Sequence, residues 1–208
     1  PVERVKRYSR GIVLKNEQPE NIVDEMLSLW KKLDGHKLPV EKRKILFVGE
    51  EISFASRYRV EHFREQLILR GYASRFIQMD QAEKESLEEY EAIVLYRCSK
   101  LMEVEMLADR AKAAEIRVYY DIDDLVFDYE KIAGLHFLKG KEYSDFRTTA
   151  ERIHGCMEFC DGYITSTETL AGVLREEFSG KPVVINRNCM SMEMEILSHE
   201  AFEQTDKN

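Results

Sequence analysis

The sequence predicts an α/β domain built on a doubly wound parallel sheet with helices on both faces. From Lys44 onward, six short apolar runs recur, and continuous runs of this kind are typical of strands buried on both faces. Helical patterns separate most of the runs, and this alternation favours parallel strands joined by helical crossovers. Right-handed crossovers then distribute the helices over both faces. We therefore expect a Rossmann-like sheet of six strands over residues 44–208.

The individual elements follow from apolar periodicity and from Gly and Pro punctuation. The predicted strands cover residues 44–49, 74–79, 92–97, 117–120, 162–166 and 183–185. The predicted helices cover residues 57–70, 81–90, 101–114, 142–159, 168–178 and 192–202. Residues 125–140 are expected to be irregular because Gly134 and Gly140 interrupt any long helix.

Residues 1–43 are predicted to form a helical extension to this domain. Apolar residues recur there at helical spacing and include Trp30, the single tryptophan of the chain. Such a stripe favours docking onto the main body, with a partner-binding helix as the alternative. Because the sequence begins with Pro1 instead of Met, we also expect it to be part of a longer protein.

Composition narrows the classes of function. The net charge of −8 argues against general nucleic-acid binding, which needs a basic surface. The sequence has neither an apolar run of membrane-spanning length nor a signal peptide, so a cytoplasmic location is expected. Its four cysteines are too scattered for a disulfide framework, so the thiols are expected to be reduced. Cys156 and Cys160 are either a helical pair on an apolar face or, with His154, part of a metal site.

The loop after the first strand argues against a cofactor. Residues 49–56 contain one glycine and two acids, and they match neither the GxGxxG nor the GxxxxGK[ST] pattern. A self-contained dinucleotide or ATP site is therefore not expected, and no cofactor is predicted.

Candidate site residues cluster where the predicted strands end, because ligands of open α/β sheets bind outside the carboxyl ends of the strands. Asp121, Asp123 and Asp124 follow the fourth strand. They are interpreted as Mg²⁺ ligands, or one of them as a base or a group that orients acceptor hydroxyls; alternatively, Asp123 and Asp124 cap the following turn. The other candidates are binding residues near the ends of the first, third and fifth strands: Ser56, Arg57, Tyr58, Arg59, Arg97, Thr165, Ser166, Thr167 and Glu168.

Each of these binding candidates has a purely structural alternative. Arg57 and Arg59 flank a phenol at a predicted helix start, where they would hold a phosphate or a sugar hydroxyl, or else remain solvated. Arg97 either enters the same cleft or pairs with Asp121 on the neighbouring strand. Residues 165–168 either line the cleft or cap the next helix.

Two families resemble parts of this pattern. The segment 121–125, DIDDL, is similar to the DxDx[T/V] motif of haloacid-dehalogenase-like phosphatases, which would make Asp121 a nucleophile and Asp123 an acid/base. The order of segments from residue 44 onward resembles the N-terminal domain of GT-B glycosyltransferases of the glycogen-synthase-like retaining class, in bacterial polysaccharide-type members. The matching segments are SRYR at 56–59, YDIDDLVF at 120–127, ITSTETL at 164–170 and VVINRN at 183–188.

The second resemblance implies the acceptor-side half of a two-domain enzyme. In that family the nucleotide-sugar donor is held chiefly by a C-terminal domain, which these residues do not include, and catalysis generally proceeds without a bound metal. A glycan or lipid-linked acceptor, with peripheral membrane contact in the full enzyme, would meet Asp121, Asp123, Asp124 and the arginines. The isolated chain is then expected to be inactive. A non-catalytic flavodoxin-like interaction module remains a third hypothesis.

Overall fold

The computed structural model describes residues 44–50, 54–133 and 141–205. The helical extension predicted for residues 1–43 lies outside the described residues. None of the helices in the described residues combines the length and the apolar character needed to cross a membrane.

The described residues form the predicted parallel sheet. Its six strands run in the order β2-β1-β3-β4-β5-β6, and every neighbouring pair is parallel. The order reverses between β1 and β3, so the carboxyl ends of these two strands flank the switch point at which such folds form their ligand crevice. The strands are β1 Lys44–Gly49, β2 Ala73–Gln78, β3 Tyr90–Tyr96, β4 Arg117–Asp121, β5 Gly162–Thr165 and β6 Val183–Ile185.

Helices follow most strands, as expected. Helix α1 consists of three contiguous segments, Phe54–Ser56, a π-helical turn Arg57–Glu61, and His62–Ile68. A 3-10 helix, Met79–Lys84, follows β2. The remaining helices are α2 Met102–Ala113, α3 Tyr129–Ile132, α4 Lys141–Glu158, α5 Glu168–Glu177 and α6 Met192–Thr205.

Alternation along the strands creates two hydrophobic cores. Leu46 and Val48 of β1 point to one face, and Phe47 points to the other, as the two-residue period of a strand requires. Buried residues of α2, α4 and α5 cover the first face, whereas Val60 and Leu67 of α1 cover the second. The sheet is thus covered on both faces, which confirms the doubly wound architecture.

The helix predicted for residues 81–90 is wrong. The chain forms only the short 3-10 helix there, and β3 already begins at Tyr90. Arg110 of α2 donates hydrogen bonds to the backbone carbonyls of Glu83 and Glu85, which an α-helix would use internally. The irregular region predicted after β4 also contains one helical turn, α3, whose N-cap residue Asp128 accepts a hydrogen bond from the Lys131 amide at 3.0 Å.

Gly162 at the start of β5 provides a test of this packing. A Cβ atom on Gly162 would lie 2.8 Å from Cγ and 2.9 Å from the carbonyl oxygen of Pro182, so Gly162→Ala should destabilise the fold by about 1–3 kcal/mol. Gly172 in α5 is the control, because nothing lies within 4 Å of its added Cβ and Gly172→Ala should stabilise the helix by about 0.5–1 kcal/mol. Urea unfolding measures both changes, and equal effects would contradict the register of β5 beside β6.

Candidate functional site

The centre of the carboxyl edge is a buried ion pair between α1 and β4. The Arg59 Nε and Nη2 atoms each donate a 2.8 Å hydrogen bond to one carboxylate oxygen of Asp121. Both residues are only 1% exposed. Such a two-point contact fixes the guanidinium and the carboxylate in one plane and sets the position of α1 over the end of the sheet.

The π-helical turn accounts for the burial of Arg59. The alternative in which Arg59 remains solvated is wrong: residues Arg57–Glu61 form a wider turn within α1, and both Arg59 and His62 are buried there. Single π turns inside α-helices occur frequently at functional sites. Arg57, in contrast, is exposed at the start of this turn.

Arg59 also reaches the chain that follows β6. Its Nη1 atom donates to the backbone carbonyl of Asn186 and, at 3.0 Å, to the side-chain oxygen of Asn188. The Asn186 amide in turn donates to the carbonyl of Thr165 at 2.8 Å. One guanidinium therefore joins α1, β4 and the segment after β6.

The other two candidate acids, Asp123 and Asp124, form ion pairs with a second arginine, Arg97. Arg97, just after β3, donates to Asp123 from Nε at 2.9 Å and from Nη2 at 2.6 Å, and Nη2 also contacts Asp124. The alternative in which Arg97 pairs with Asp121 is thus wrong, because Arg59 occupies that carboxylate. Arg97 adopts φ +49°, a left-handed conformation that is uncommon outside glycine and that concentrates at functional sites.

Two hydroxyls near these charges lack partners. Among the described residues, the buried Tyr96 Oη and Thr165 Oγ1 atoms make no hydrogen bond. Tyr96 pairs in register with Asp121 in the sheet and therefore lies next to the central ion pair. Unsatisfied buried hydroxyls are costly, so each marks a position where a polar partner would stabilise the protein.

The remaining predicted binding residues lie around this centre with different exposure. Thr167 acts as the N-cap of α5 and accepts a hydrogen bond from the Leu170 amide at 3.2 Å, as the capping alternative predicted. Ser56 and Ser166 are buried, whereas Glu168 is exposed. The ring of Tyr58 meets the imidazole of His62 edge-on, with 5.1 Å between the ring centroids.

The accessible rim therefore differs from the buried centre. Asp124 is 59% exposed and Arg97 28% exposed, while Asp121 has both oxygens occupied by Arg59. Asp121 thus holds the scaffold together in this conformation, and Arg57, Asp124 and Glu168 are the charged candidates that solvent reaches directly.

Burial dominates the titration of the central groups. Desolvation raises the pKa of Asp121 to about 6, although the adjacent Arg59 guanidinium opposes the rise and Asp123 adds to it. Desolvation also raises the pKa of Tyr96, to which the Asp123 carboxylate contributes further. Tyr96 therefore remains a neutral phenol at physiological pH.

The cysteines of the predicted helical pair are both buried. Cys156 lies within α4 and Cys160 two residues beyond its end, and burial raises the pKa of both thiols. Within residues 44–50, 54–133 and 141–205, no three His, Cys, Asp or Glu side chains are grouped so that they could hold a metal ion.

Cavities occur at both edges of the sheet. A hollow of about 820 Å³ lies at the amino edge beside Arg117, Val118 and Asp161. At the carboxyl edge, a smaller cavity of about 270 Å³ opens between Glu50, Gln78 and Leu101, next to the switch point. The smaller cavity is the one that lies where α/β sheets bind their ligands.

Sequence reasoning missed four members of the centre: His62, Tyr96, Asn186 and Asn188. His62 lies three residues after Arg59, a spacing that puts both on one helical face, and this signal is present in the sequence. Its Nδ1 atom donates to the Cys189 carbonyl at 2.8 Å, which fixes the proton on that nitrogen. The roles of the asparagines depend on how the segment after β6 returns to α1, which the sequence does not encode locally.

Comparisons with known proteins add little to this geometry. No family model matches the chain, and no curated protein matches its sequence. A solved structure of O-acetylhomoserine sulfhydrylase from Wolinella succinogenes aligns at 16% identity with a TM-score of 0.28, over 38% of this chain and 24% of that one. That enzyme is described as catalysing a sulfur transfer in methionine biosynthesis, and so low a TM-score supports no argument about this chain.

The raised pKa of Asp121 gives a pH dependence with a definite sign. Between pH 3.8 and about 6 the folded state holds a proton that the unfolded state has lost, so the free energy of unfolding rises as pH falls through this window. The total change attributable to Asp121 is about 3 kcal/mol, because each tenfold change in an acid dissociation constant corresponds to about 1.4 kcal/mol.

Urea unfolding of wild type and Asp121→Asn between pH 7.5 and 4 isolates this contribution, because the variant lacks the titrating group. The free energy of unfolding of wild type minus that of the variant should increase toward acid pH. A difference that is constant, or that decreases toward acid pH, would contradict the environment described for Asp121.

Proposed function

We propose that this chain is the acceptor-side domain of a glycosyltransferase of the GT-B type. The full enzyme would transfer a sugar from a nucleotide-sugar to a glycan or lipid-linked acceptor in the cytoplasm. A second domain would supply most of the donor site. The chain on its own would then bind acceptor without catalysing transfer.

The observation that carries the proposal is the convergence of three separate segments on Arg59. The resemblance to this family rests on four segments that are far apart in sequence, and three of them, residues 56–59, 120–127 and 183–188, meet at Arg59. In the structure, Arg59 from the first segment binds Asp121 from the second and Asn186 and Asn188 from the third. Segments that resemble the family one by one thus form one connected cluster at the ligand-binding edge of the sheet.

The charges of this cluster favour recognition of hydroxyl groups. Arg97 is already shared between Asp123 and Asp124, and Asp124 remains largely exposed. Carboxylates accept hydrogen bonds from neighbouring hydroxyls, and guanidiniums donate to them. In this proposal Asp123 and Asp124 orient acceptor hydroxyls, Arg57 and Tyr58 border the cleft, and Arg59 with Asp121 forms its rigid floor.

The phosphohydrolase alternative has less support from the geometry. A nucleophilic carboxylate must reach its substrate, and here both oxygens of Asp121 are buried against Arg59. The β2-β1-β3-β4-β5 part of the strand order is that of flavodoxin-type sheets, but a strand order hosts many functions and favours none of them.

The test uses the full-length gene product that contains these residues, with a panel of UDP-, GDP-, ADP- and dTDP-hexoses. Release of nucleoside diphosphate that depends on an added glycan or lipid-linked acceptor is the expected result. Asp124→Asn and Arg57→Ala should each raise the KM for acceptor by about tenfold with a smaller change in kcat, since each removes one charged hydrogen-bonding group.

Arg64→Ala is the matched control, because Arg64 lies on the same helix but contacts Glu61 and Ser74 instead of the cluster. Its acceptor KM should equal that of wild type. Absence of turnover across the panel, together with Mg²⁺-dependent hydrolysis of an aryl phosphate that is lost in Asp121→Asn, would overturn the proposal in favour of a phosphohydrolase.

A further inference from the structure

The segment after β6 is attached to α1 by hydrogen bonds from side chains of this helix. We define residues Asn186–Met192, which run from the end of β6 to the first residue of α6, as the latch segment. It returns from the edge strand of the sheet to α1, which packs on the face of Phe47 and Val94.

Hydrogen bonds join the latch segment to α1 at Asn186, Asn188, Cys189 and Met192. Besides the Arg59 bonds to Asn186 and Asn188, the His62 ring donates to the Cys189 carbonyl. The remaining contacts come from the next turn of α1: Gln66 Nε2 donates to Cys189 Sγ at 3.1 Å, and Glu65 Oε2 accepts from the Met192 amide at 3.3 Å. Positions 59, 62 and 66 lie on one face of the helix, so this face contacts the segment residue by residue.

Apolar burial contributes little to the same attachment. Ser191 is the one buried residue of the latch segment, and Met190 and Met192 are half exposed. In α6, which follows, Ile196 and Leu197 are 53% and 54% exposed. Helix α5, in contrast, buries Leu170, Ala171 and Leu174 in the core.

We propose that the latch segment and α6 open and close as a unit over the carboxyl edge, by exchanging these polar contacts with solvent. Regions with few buried apolar contacts open at free energies well below that of global unfolding. The Asn186 amide, at the first residue of the segment, binds the Thr165 carbonyl at the end of β5 and is the last sheet-like contact, so it marks the hinge.

Opening changes the chemistry of the site in a specific way. The Nη1 atom of Arg59 loses its two oxygen partners on the latch segment, while Nε and Nη2 stay bound to Asp121. A ligand that presents a hydroxyl or carbonyl oxygen can then replace Asn186 and Asn188 on Nη1. The opening of the latch segment does not depend on the proposed glycosyl transfer. Only the identity of the ligand that binds Nη1 rests on the proposed function.

Amide hydrogen exchange resolved by NMR tests the latch. Two amides report on the latch: that of Met192, which donates to the Glu65 carboxylate, and that of Glu195, which donates to the Ser191 carbonyl. The reference is the amide of Ile122, which donates to the Ile164 carbonyl within the sheet region. In wild type the two reporters should exchange faster than Ile122 under native conditions. In the Glu65→Ala/Gln66→Ala variant their protection should fall by a further factor of about ten, because two hydrogen bonds are lost, with Ile122 unchanged.

Arg64→Ala again serves as the control, because it alters α1 without touching the latch segment. It should leave the reporters unchanged. The proposal is overturned if Met192 and Glu195 exchange at the rate of Ile122 in wild type, which would mean that the segment opens only on global unfolding. It is equally overturned if the double variant leaves their protection unaltered. Neither result bears on nucleotide-sugar turnover, so failure of the latch and failure of the proposed function are distinguishable.

Discussion

The structure of the carboxyl edge depends on the buried pair between Arg59 and Asp121. A charged guanidinium without access to water is tolerated only when its hydrogen bonds are met, and here four acceptor oxygens from two other parts of the chain meet them. The pair therefore fixes where α1 lies and where β4 ends, and the Nη1 atom of the same guanidinium binds the segment after β6. Replacement of either partner alone leaves a buried, unsatisfied charge, so α1 and β4 cannot shift independently of each other.

This constraint separates scaffold from surface at the candidate site. Both carboxylate oxygens of Asp121 are bound by Arg59 in the interior of the protein. Asp123 and Asp124 instead bind Arg97 at the rim, where Asp124 is mostly exposed. The buried Asp121 thus has a structural role, whereas Asp123 and Asp124, which lie closer to solvent, are available to a ligand. Arg97, whose backbone is left-handed, binds Asp123 and Asp124 with its guanidinium. The hydroxyl of the preceding Tyr96 has no hydrogen-bond partner within the part of the chain that the structure describes.

Much of the fold was predictable from local sequence. The apolar runs of β1, β3, β4 and β5 and the alternation with helices identified the sheet, because burial on both faces leaves a direct mark on composition. The helix predicted after β2 failed because Arg110, distant in sequence, binds the carbonyls that an α-helix needs. The candidate residues lie near the strand ends as expected, but the partners of the acids were not predictable, since Arg59 reaches Asp121 only through a π turn that no local pattern indicates.

A double-mutant cycle on Arg59 and Asp121 measures how strongly these two side chains stabilise each other. Arg59→Met and Asp121→Leu should each destabilise the protein by about 3–5 kcal/mol at pH 7.5, because each leaves one charge buried without its partner. The double variant replaces both charges with apolar groups, so it should recover much of that loss and give a coupling energy well above about 1 kcal/mol. Strictly additive losses would show that the two side chains do not act as a pair, and would contradict the account of this edge.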